Sequence, residues 1–469
     1  MIKDLSRQRW PYLIAALLFV GLWAGSLVEF RTDSRPLGTI EEDLESLESR
    51  HDLNVLFILI DTLRADRLGS YGYTRDTSPH IDGLANTGVR FARHVAQSSW
   101  TKCSMASMWT GIYPARSGIL RLDDAIPEEA VTPAETLFDE GYRTAGIWRN
   151  GWVAPNFGFS QGFELYVRPP ARQVPASVRR ENPSIRLEGT DQDVIESANE
   201  FIRSHRDERW FLYLHLMDVH QYVFDETTAM FGNRYTDLYD NSIRWVDRLT
   251  GAMIGVLEKM GLRDRTLVVV LSDHGEAFGE HGLEGHARNV YAEVIETPLI
   301  LSLPFRIEGG VVVEEGSANV DVWPTLLDIL GFDPREELDG RSKREAILRA
   351  AGGLPIEDEE DPMVFSQLDQ TWGQIGQAPQ SIVAVTNKSY RLIHRSTAPG
   401  LDELYDRDHD PLEQRNLVKQ EPDIATGLQA AITAHLEETR EAPWGDSSMQ
   451  IELDDLDLNQ LRALGYSIN

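Results

Sequence analysis

Long apolar runs alternate with helical patterns over most of the chain. The runs are continuous, which is typical of strands buried on both faces of a parallel sheet. The three clearest runs are residues 54–61, 210–220 and 266–273, and helical patterns lie near residues 133–140, 190–205 and 238–260. This alternation predicts an α/β fold with a mostly parallel central sheet sandwiched by helices.

Each of the three runs ends in side chains that can bind a metal or carry a proton. The first ends in Asp61, the second in His220, and the third in Asp273, which His274 follows. In open α/β sheets, ligands bind beyond the carboxyl ends of the strands. We therefore expect these side chains to meet at one edge of the sheet and to form a site there.

The pattern changes after the first 350 residues. Shorter strand-like pieces appear at 381–385 and 390–393, before a helical pattern near 421–440. We interpret residues 54–350 as the catalytic domain and residues 351–469 as a smaller C-terminal α+β subdomain.

One stretch near the N-terminus, residues 10–28, is uncharged and mostly apolar. As a helix it would span about 28 Å, close to the ~30 Å hydrocarbon core of a membrane. The basic residues before it predict that residues 1–9 stay in the cytoplasm and that the catalytic domain is periplasmic or extracellular. Residues 29–53 would then be a tether. The alternative is a secreted protein with a cleaved signal peptide, because Ala24-Gly25-Ser26 offers small residues for cleavage.

Charge and cysteine content narrow the range of partners. The net charge of −30 argues against nucleic acid, because phosphate binding needs a basic surface. The single cysteine, Cys103, excludes an internal disulfide framework and a cysteine-based zinc cluster. With 469 residues, the chain is long enough for one large domain and a smaller one.

A short motif, residues 100–111, carries the most specific chemical signal. It presents a hydroxyl at Thr101, continues through Ala106-Ser107 and ends in Thr110-Gly111. Together with the carboxylate that ends the first run and the Asp-His pair that ends the third, it resembles the sulfatase branch of the alkaline-phosphatase superfamily. The resemblance extends from about residue 54 to the C-terminus and implies an alkaline-phosphatase-like fold.

Register decides which residue of this motif is the nucleophile. The family pattern is Cys or Ser, any residue, Pro, Ser and Arg, followed by Ala or Ser, Ser, two apolar residues and Thr-Gly. Counting back from Thr110-Gly111 places the nucleophile at Thr101 and puts Met105 where the family has its arginine. The alternative register starts at Cys103 and leaves Thr-Gly two residues too early.

Threonine at this position changes the chemistry that the resemblance implies. Sulfatases oxidise Cys or Ser to an aldehyde, whereas oxidation of a threonine hydroxyl gives a ketone. Relatives such as nucleotide phosphodiesterases, phosphoethanolamine transferases and lipoteichoic acid synthases use a metal-bound threonine alkoxide. Because a divalent metal lowers the pKa of a bound hydroxyl by several units, Thr101 can ionise near neutral pH. The resemblance thus implies a phosphate ester or diester substrate, for example in an envelope lipid or glycan, and a phospho-threonine attacked by water or an acceptor alcohol.

The resemblance also implies the metal ligands, which are Asp61, Thr101, Asp273 and His274. Three oxygen donors and one nitrogen suit Mn, Mg, Ca or Zn and do not decide among them. Thr62 stands where sulfatases often have a second Asp, so one oxygen ligand is lost. We predict a single divalent ion, because the sequence offers no clear Asp-x-x-x-His set for a second one.

Three further residues are implied to contact the ester group. His220 matches a family histidine at the ester, and His286 and Asn150 lie where many sulfatases have lysines. We predict that His220 and His286 position the ester or protonate the leaving group, and that Asn150 binds substrate. With methionine in place of the family arginine, the pocket has fewer cations than a typical sulfatase, which disfavours sulfate.

Other polar residues near these motifs have structural interpretations. His281 is expected to be structural, and His215, inside an apolar run, is expected to be a buried, hydrogen-bonded core residue. For Arg64 the sequence leaves two roles open, a structural ion pair and a contact with a ligand. The residues that flank the nucleophile are expected to shape the pocket; they are Ser99, Trp100 and Lys102.

We therefore expect a membrane-anchored, extracytoplasmic, metal-dependent hydrolase or transferase that acts through Thr101. One alternative is a sulfuric ester hydrolase that uses Thr101 directly. Another is a catalytically inactive relative that binds a ligand. Such a relative would be expected to lose Asp61 or the Asp273-His274 pair, and all three are present.

Overall fold

The computed structural model describes residues 33–171, 173–183, 189–333, 337–355, 362–374, 377–437, 441–445 and 449–453. Contacts divide the chain into two units, Met1–Ser34 and Arg35–Asn469, and the fold below is that of the second unit. None of the described helices is both long and apolar enough to cross a membrane. Residues 10–28 lie outside the described residues, so the transmembrane anchor and the cleaved signal peptide both stay predictions.

The described residues form eighteen strands. They are β1 (Asn54–Ile60), β2 (Val89–Phe91), β3 (His94–Val95), β4 (Asp124–Ala125), β5 (Arg143–Ile147), β6 (Leu165–Val167), β7 (Trp210–Leu216), β8 (Thr266–Leu271), β9 (Ala277–Phe278), β10 (Glu284–Gly285), β11 (Leu299–Ser302), β12 (Val311–Val313), β13 (Ser317–Ala318), β14 (Val364–Asp369), β15 (Ser381–Thr386), β16 (Tyr390–Arg395), β17 (Glu403–Asp406) and β18 (Met449–Gln450).

The same residues form twelve α-helices. They are α1 (Ile40–Glu48), α2 (Pro79–Ala85), α3 (Thr101–Thr110), α4 (Pro114–Ser117), α5 (Pro133–Asp139), α6 (Ala176–Glu181), α7 (Asp191–Ser204), α8 (Tyr235–Met260), α9 (Ala292–Ile295), α10 (Asn319–Ile329), α11 (Arg344–Ala351) and α12 (Pro422–Leu436).

Eight strands form the central sheet, in the order β12-β2-β11-β8-β1-β7-β5-β6. Near its middle, β1 pairs in parallel with β7 and β8, and β5 pairs in parallel with β7 and β6. β11 runs antiparallel to both of its neighbours, β8 and β2, while β12 is parallel to β2. The α/β prediction is confirmed, and the sheet is mixed, with five parallel and two antiparallel pairings.

β1 shows why a continuous apolar run becomes a strand in the middle of this sheet. All seven of its residues are buried. Because successive side chains of a strand point to opposite faces, Phe57 packs in one apolar core and Ile58 in the other. Residues of α3, α5 and α10 cover the first core, and residues of α2, α7 and α8 cover the second. The sheet is therefore sandwiched by helices.

The C-terminal part is a four-stranded antiparallel sheet, β14-β15-β16-β17, with α12 against it. On one face, Val383 and Leu392 pack with Leu428 and Ile432 of α12. On the other face, Ala384 joins the first core of the central sheet. The smaller sheet therefore has a helix on one side and extends the large core on the other.

The prediction that residues 29–53 form a tether is wrong for the part of this segment that forms α1. Ile40, Leu44 and Leu47 are buried and belong to the first core. Their i, i+4, i+7 spacing places them on one helix face, and the charged residues between them occupy the other. The high local charge hid a short amphipathic helix that packs against the domain.

Replacing Leu44 with alanine tests whether α1 is part of the folded domain. Leu44→Ala should lower the free energy of unfolding by about 2–5 kcal/mol, because a fully buried leucine leaves a cavity when truncated. Urea denaturation followed by circular dichroism measures the change. The neighbouring exposed Glu45→Ala should change it by less than about 0.5 kcal/mol. Equal stability of Leu44→Ala and the wild type would restore the tether interpretation.

Candidate active site

The carboxyl ends of three neighbouring strands bring the central polar groups together. Asp61 follows β1, and its backbone N–H donates to the carbonyl of Leu216 at the end of β7 (3.0 Å). Asp273 follows β8, on the other side of β1. Both carboxylates are fully buried. The predicted convergence at one sheet edge is thus what the structure shows.

Thr101 enters this centre as the first residue of α3. The preceding Trp100 is extended (φ −128°, ψ 127°), and the helix begins at Thr101 itself. Free N–H groups at a helix N-terminus favour negative charge on nearby atoms. The helix ends at Gly111, whose φ of +68° is left-handed and suits glycine. The Thr-Gly pair of the motif is therefore a helix stop that fixes the length of α3.

The Thr101 hydroxyl has two polar neighbours. Its Oγ1 lies 3.1 Å from His274 Nε2, and Asn150 Nδ2 donates to it at 3.4 Å. His274 Nδ1 donates to the carbonyl of Gly275 (2.9 Å). In a neutral imidazole this leaves Nε2 as the acceptor, so the Thr101 hydroxyl donates to it. The hydroxyl hydrogen is thereby directed at a basic nitrogen.

Each of the two buried carboxylates has one oxygen that is bonded and one that is not. Asp61 Oδ2 accepts hydrogen bonds from Asn150 Nδ2 (2.6 Å) and His215 Nε2 (2.9 Å). Asp273 Oδ1 accepts from the backbone N–H of Thr62 (3.3 Å). Among the described residues, Asp61 Oδ1 and Asp273 Oδ2 have no hydrogen-bond partner. Leaving a buried carboxylate oxygen unpaired is costly.

A divalent cation fits this set of atoms. Ligand atoms of Asp61, His215 and Asp273 all lie within 4.8 Å of one another. His274 Nε2 lies 3.4 Å from Asp273 Oδ2, next to Thr101. A cation held here would satisfy the two unpaired oxygens with the oxygen and nitrogen donors that Mn, Mg, Ca and Zn share. The four predicted ligands are thus brought together, with His215 beside them.

The surroundings of the two carboxyls shift their pKa values in opposite directions. Burial would raise the pKa of Asp61, but the hydrogen bond from His215 and the charges of nearby histidines bring it well below its usual value. Burial, reinforced by the neighbouring Asp61 charge, raises the pKa of Asp273. Ionisation of both carboxyls together therefore needs added positive charge at the site.

The two predicted substrate histidines lie side by side. The rings of His220 and His286 are 5.0 Å apart, and His286 is 4.6 Å from the ring of His274. Both nitrogens of His220 are buried without a hydrogen-bond partner among the described residues, and burial lowers its pKa to about 4. His286 Nδ1 lies 3.4 Å from both carboxylate oxygens of Glu276. Burial alone would lower the pKa of His286, but the Glu276 charge raises it overall.

Three of the residues after Thr101 have their side chains in other surroundings. Lys102 Nζ donates to the carbonyls of Leu122 (2.7 Å) and Asp124 (2.8 Å), and burial lowers its pKa to about 7. The Cys103 thiol is buried in the apolar core, where burial raises its pKa to about 12. Met105, at the family arginine, is also buried in that core. The geometry disfavours the register that starts at Cys103.

The structure gives hydrogen-bond partners for Arg64, whose role the sequence left open, and for His281, which was expected to be structural. Arg64 Nη1 donates to Glu280 (2.6 Å), and Arg64 Nη2 donates to Asp66 (2.7 Å), so Arg64 is in a structural ion pair. His281 Nδ1 lies 2.8 Å from Glu293 Oε1, and its Nε2 lies 2.9 Å from the carbonyl of Glu413. Burial opposes its charge, but Glu293 raises the pKa of His281 to about 9. His281 thus links Glu293 to Glu413 of the C-terminal part.

The sequence did not indicate that three residues take part in the candidate site: His215, Tyr213 and Glu276. His215 is buried and hydrogen-bonded as predicted, but one of its two partners is the carboxylate of Asp61 at the candidate site. Tyr213 lies 2.6 Å from His215 Nδ1 on the same face of β7. Glu276, which pairs with His286, was also missed. The available signals were an imidazole one residue before the end of a strand, and a carboxylate two residues after His274.

Comparison with known proteins agrees with this geometry. The family model described as Sulfatase matches residues 53–332. The chain belongs to the sulfatase family. A second model, N-sulphoglucosamine sulphohydrolase, C-terminal, matches residues 279–442. As a member of this family, the protein is an ester hydrolase.

Individual members of the family are distant from this chain. The steryl-sulfatase of Rattus norvegicus is 24% identical, over 92% of this chain and 94% of its own. The ulvan-active sulfatase of Formosa agariphila is 24% identical, over 82% and 80%. Among solved structures, the phosphonate monoester hydrolase of Agrobacterium radiobacter has a TM-score of 0.63 at 19% identity, covering 82% of this chain and 95% of that one. The structural likeness establishes the shared fold.

Metal removal tests the candidate metal centre. Chelation should lower the thermal midpoint, because an ion at ~100 times its dissociation constant stabilises the folded state by about 2.7 kcal/mol. Elemental analysis should find bound divalent metal in the wild type and little in Asp61→Asn or Asp273→Asn. Asp247→Asn is the matched control, since this buried carboxylate accepts backbone N–H bonds at α2. An unchanged metal content in Asp273→Asn would contradict the assignment.

Proposed function

We propose that the protein hydrolyses or transfers a monoanionic ester through a covalent intermediate on Thr101, and that a phosphate diester is its preferred substrate. One observation carries the proposal. Thr101 Oγ1 lies at the N-terminus of α3, within hydrogen-bonding distance of His274 Nε2, which itself lies 3.4 Å from Asp273 Oδ2. A hydroxyl in this environment is a candidate nucleophile.

The residues at the site have different roles in the first half-reaction. Asp61, Thr101, Asp273 and His274 would hold a divalent cation, which supplies positive charge that favours the ionised hydroxyl and the negative oxygens of the ester. The Thr101 hydroxyl loses its proton to solvent, its Oγ1 attacks phosphorus, and the bond from phosphorus to the leaving oxygen breaks. Asn150 Nδ2 donates toward the nucleophilic oxygen.

Proton transfer to the leaving group falls to the histidine pair. Glu276 holds His286 by its Nδ1 and favours its charged form, so His286 can give a proton to the leaving alcohol. His220, neutral at neutral pH, has two unpaired ring nitrogens and can bind an ester oxygen or the leaving hydroxyl. In the second half-reaction water or an alcohol attacks phosphorus and gives its proton to His286, and the bond from phosphorus to Thr101 Oγ1 breaks. The Thr101 oxygen then takes up a proton from solvent, which regenerates the hydroxyl.

The distribution of charge favours a substrate with a single negative charge. Among the described residues near the motif, Lys102 binds backbone carbonyls and Arg64 binds carboxylates, so neither is directed at Thr101. Fixed positive charge therefore comes from His286 and the cation. A phosphate diester carries one charge, whereas a phosphate monoester carries nearly two at neutral pH.

A sulfate ester is the second candidate, and the comparisons favour it. Sulfate monoesters also carry one charge, and relatives of this chain include a steryl-sulfatase and an ulvan-active sulfatase. Thr101 would then attack sulfur directly, because a threonine hydroxyl cannot be oxidised to the aldehyde. An ester group on an envelope lipid or glycan is compatible with either candidate.

Substitution of Thr101 tests the nucleophile. Thr101→Ala should lower kcat by at least ~1000-fold, because the covalent route is lost. Thr101→Ser keeps the hydroxyl and should retain measurable turnover. Cys103→Ala is the control for the alternative register and should keep kcat within a few-fold of the wild type. Activity that survives Thr101→Ala but not Cys103→Ala would overturn the proposal.

A panel of aryl esters tests the substrate class on residues 34–469 with the metal varied. We expect the aryl phosphodiester to have the highest kcat/KM and the aryl phosphomonoester a lower one. Addition of a primary alcohol distinguishes transfer from hydrolysis through the new ester that forms. Turnover of the aryl sulfate alone would select the second candidate. No turnover of any ester, with metal bound, would favour a binding protein.

A further inference from the structure

A buried ion cluster joins two of the loops that carry site residues. Its cation is Arg149, the residue before Asn150, and one of its anions is Asp218, two residues before His220. Arg149 Nη1 donates to Asp191 Oδ1 at 2.7 Å and also to Asp218 Oδ1. The side chain of Arg149 is 7% exposed and both carboxylates are fully buried.

The second nitrogen of the guanidinium and the carboxylates tie in further segments. Arg149 Nη2 donates to the carbonyl of Gly189 (2.9 Å) and to Gln221 Oε1 (3.0 Å). Asp218 Oδ2 accepts from the backbone N–H of Asp191 (2.8 Å) and from Trp245 Nε1 (2.8 Å). One planar guanidinium therefore fixes the exits of β5 and β7 relative to each other and to the start of α7.

The Asp191 carboxylate completes the connection to β7. It accepts hydrogen bonds from the backbone N–H groups of Met217 (2.8 Å) and Asp218 (2.7 Å). The chain between β7 and His220 is thus held by its main chain at one end and by the Asp218 side chain. Both sets of bonds lead to Arg149.

Thermodynamic stability gives little reason for such a cluster. Burying three charges costs desolvation free energy, and well-packed apolar residues in place of buried ion groups are often equally stable. The cluster instead fixes the orientation of the residues that it joins, because a guanidinium binds carboxylates with a fixed planar geometry. The residues that it directs contact the nucleophile centre: Asn150 donates to Asp61 and Thr101.

We propose that Arg149 is a positioning residue that holds Asn150 and His220 at a fixed separation around Thr101. Among the described residues, the four hydrogen-bond partners of Arg149 are carboxylate, amide and carbonyl oxygens of the protein, so Arg149 acts through its neighbours and not on the ester. The kinetic consequence rests on the proposed function of the site. The structural consequence, ordering of the two loops, does not.

The experiment compares Arg149→Ala with Arg116→Ala in the full chain. Arg116 is an equally buried arginine that pairs with Asp339 (2.8 Å, each side chain 7% exposed), away from Asn150 and His220 along the chain. For Arg149→Ala we expect kcat to fall ~100-fold with a smaller change in KM, because a misplacement of about 1 Å has this effect. Millimolar guanidinium should restore at least tenfold of the loss. Arg116→Ala should show neither effect.

Hydrogen–deuterium exchange gives a readout that does not need activity. Peptides covering residues 149–153 and 217–223 should exchange at least tenfold faster in Arg149→Ala, and guanidinium should slow them again. Arg116→Ala should leave both peptides unchanged. If the wild type turns over no ester, the proposed function fails, and exchange alone decides the role of Arg149.

A milder variant covers the case in which Arg149→Ala does not fold. Trp245→Phe removes one hydrogen bond to Asp218 and leaves all three charges in place. It should speed exchange in residues 217–223 by a few-fold and lower kcat by a similar factor. The proposal would be overturned if the variant that folds exchanges at the wild-type rate in both loops. It would also be overturned if exchange becomes faster in that variant while the kcat of an active enzyme stays unchanged.

Discussion

The parallel pairing of β1 with β7 and β8 is the constraint on which the candidate site depends. Leu59 of β1 lies opposite both His215 and Leu271. Asp61 and Asp273 each come two residues after this level, so their side chains reach the same height at the sheet edge. A one-residue slip would turn each side chain to the other face, and the burial of β1 on both faces holds the register.

The fold buries polar and charged side chains at this edge of the sheet, and neighbouring residues form hydrogen bonds with them. Tyr213 and Asp61 hold the two nitrogens of His215, and Gly275 holds one nitrogen of His274. Every such bond selects a tautomer or a direction. Among the described residues, Asp61 Oδ1 and Asp273 Oδ2 stay without a hydrogen-bond partner, an arrangement expected where a fold gives up stability for binding. Apolar residues on both faces of the sheet provide the compensating stability.

Much of this arrangement was readable from the sequence because it depends on strand ends. The runs that end in Asp61 and Asp273 predicted both strands and the edge at which they meet, and the Thr-Gly pair set the register of the motif that begins at Thr101. His215 was read as a core residue because an isolated polar residue in an apolar run gives no sign of its partner. Tertiary contacts alone reveal that this partner is Asp61.

Errors in the prediction share one physical origin. A segment rich in charge was read as a tether, although three apolar residues on one face of α1 suffice to bury it. The antiparallel β11 is also invisible in the sequence, because a strand buried in a mixed sheet has the same apolar character whichever way it runs. Periodicity reports burial and does not report direction or the identity of the packing partner.

The burial of Cys103 allows local opening of the protein to be measured through the reactivity of its own thiol. It is the one cysteine in the sequence, and it lies two residues from Thr101 in the same helix, with its thiol inside the core. A thiol reagent can reach it only when α3 separates from that core. The modification rate of the unaltered protein therefore reports the free energy of opening of α3, and it can be followed as ions or esters are added.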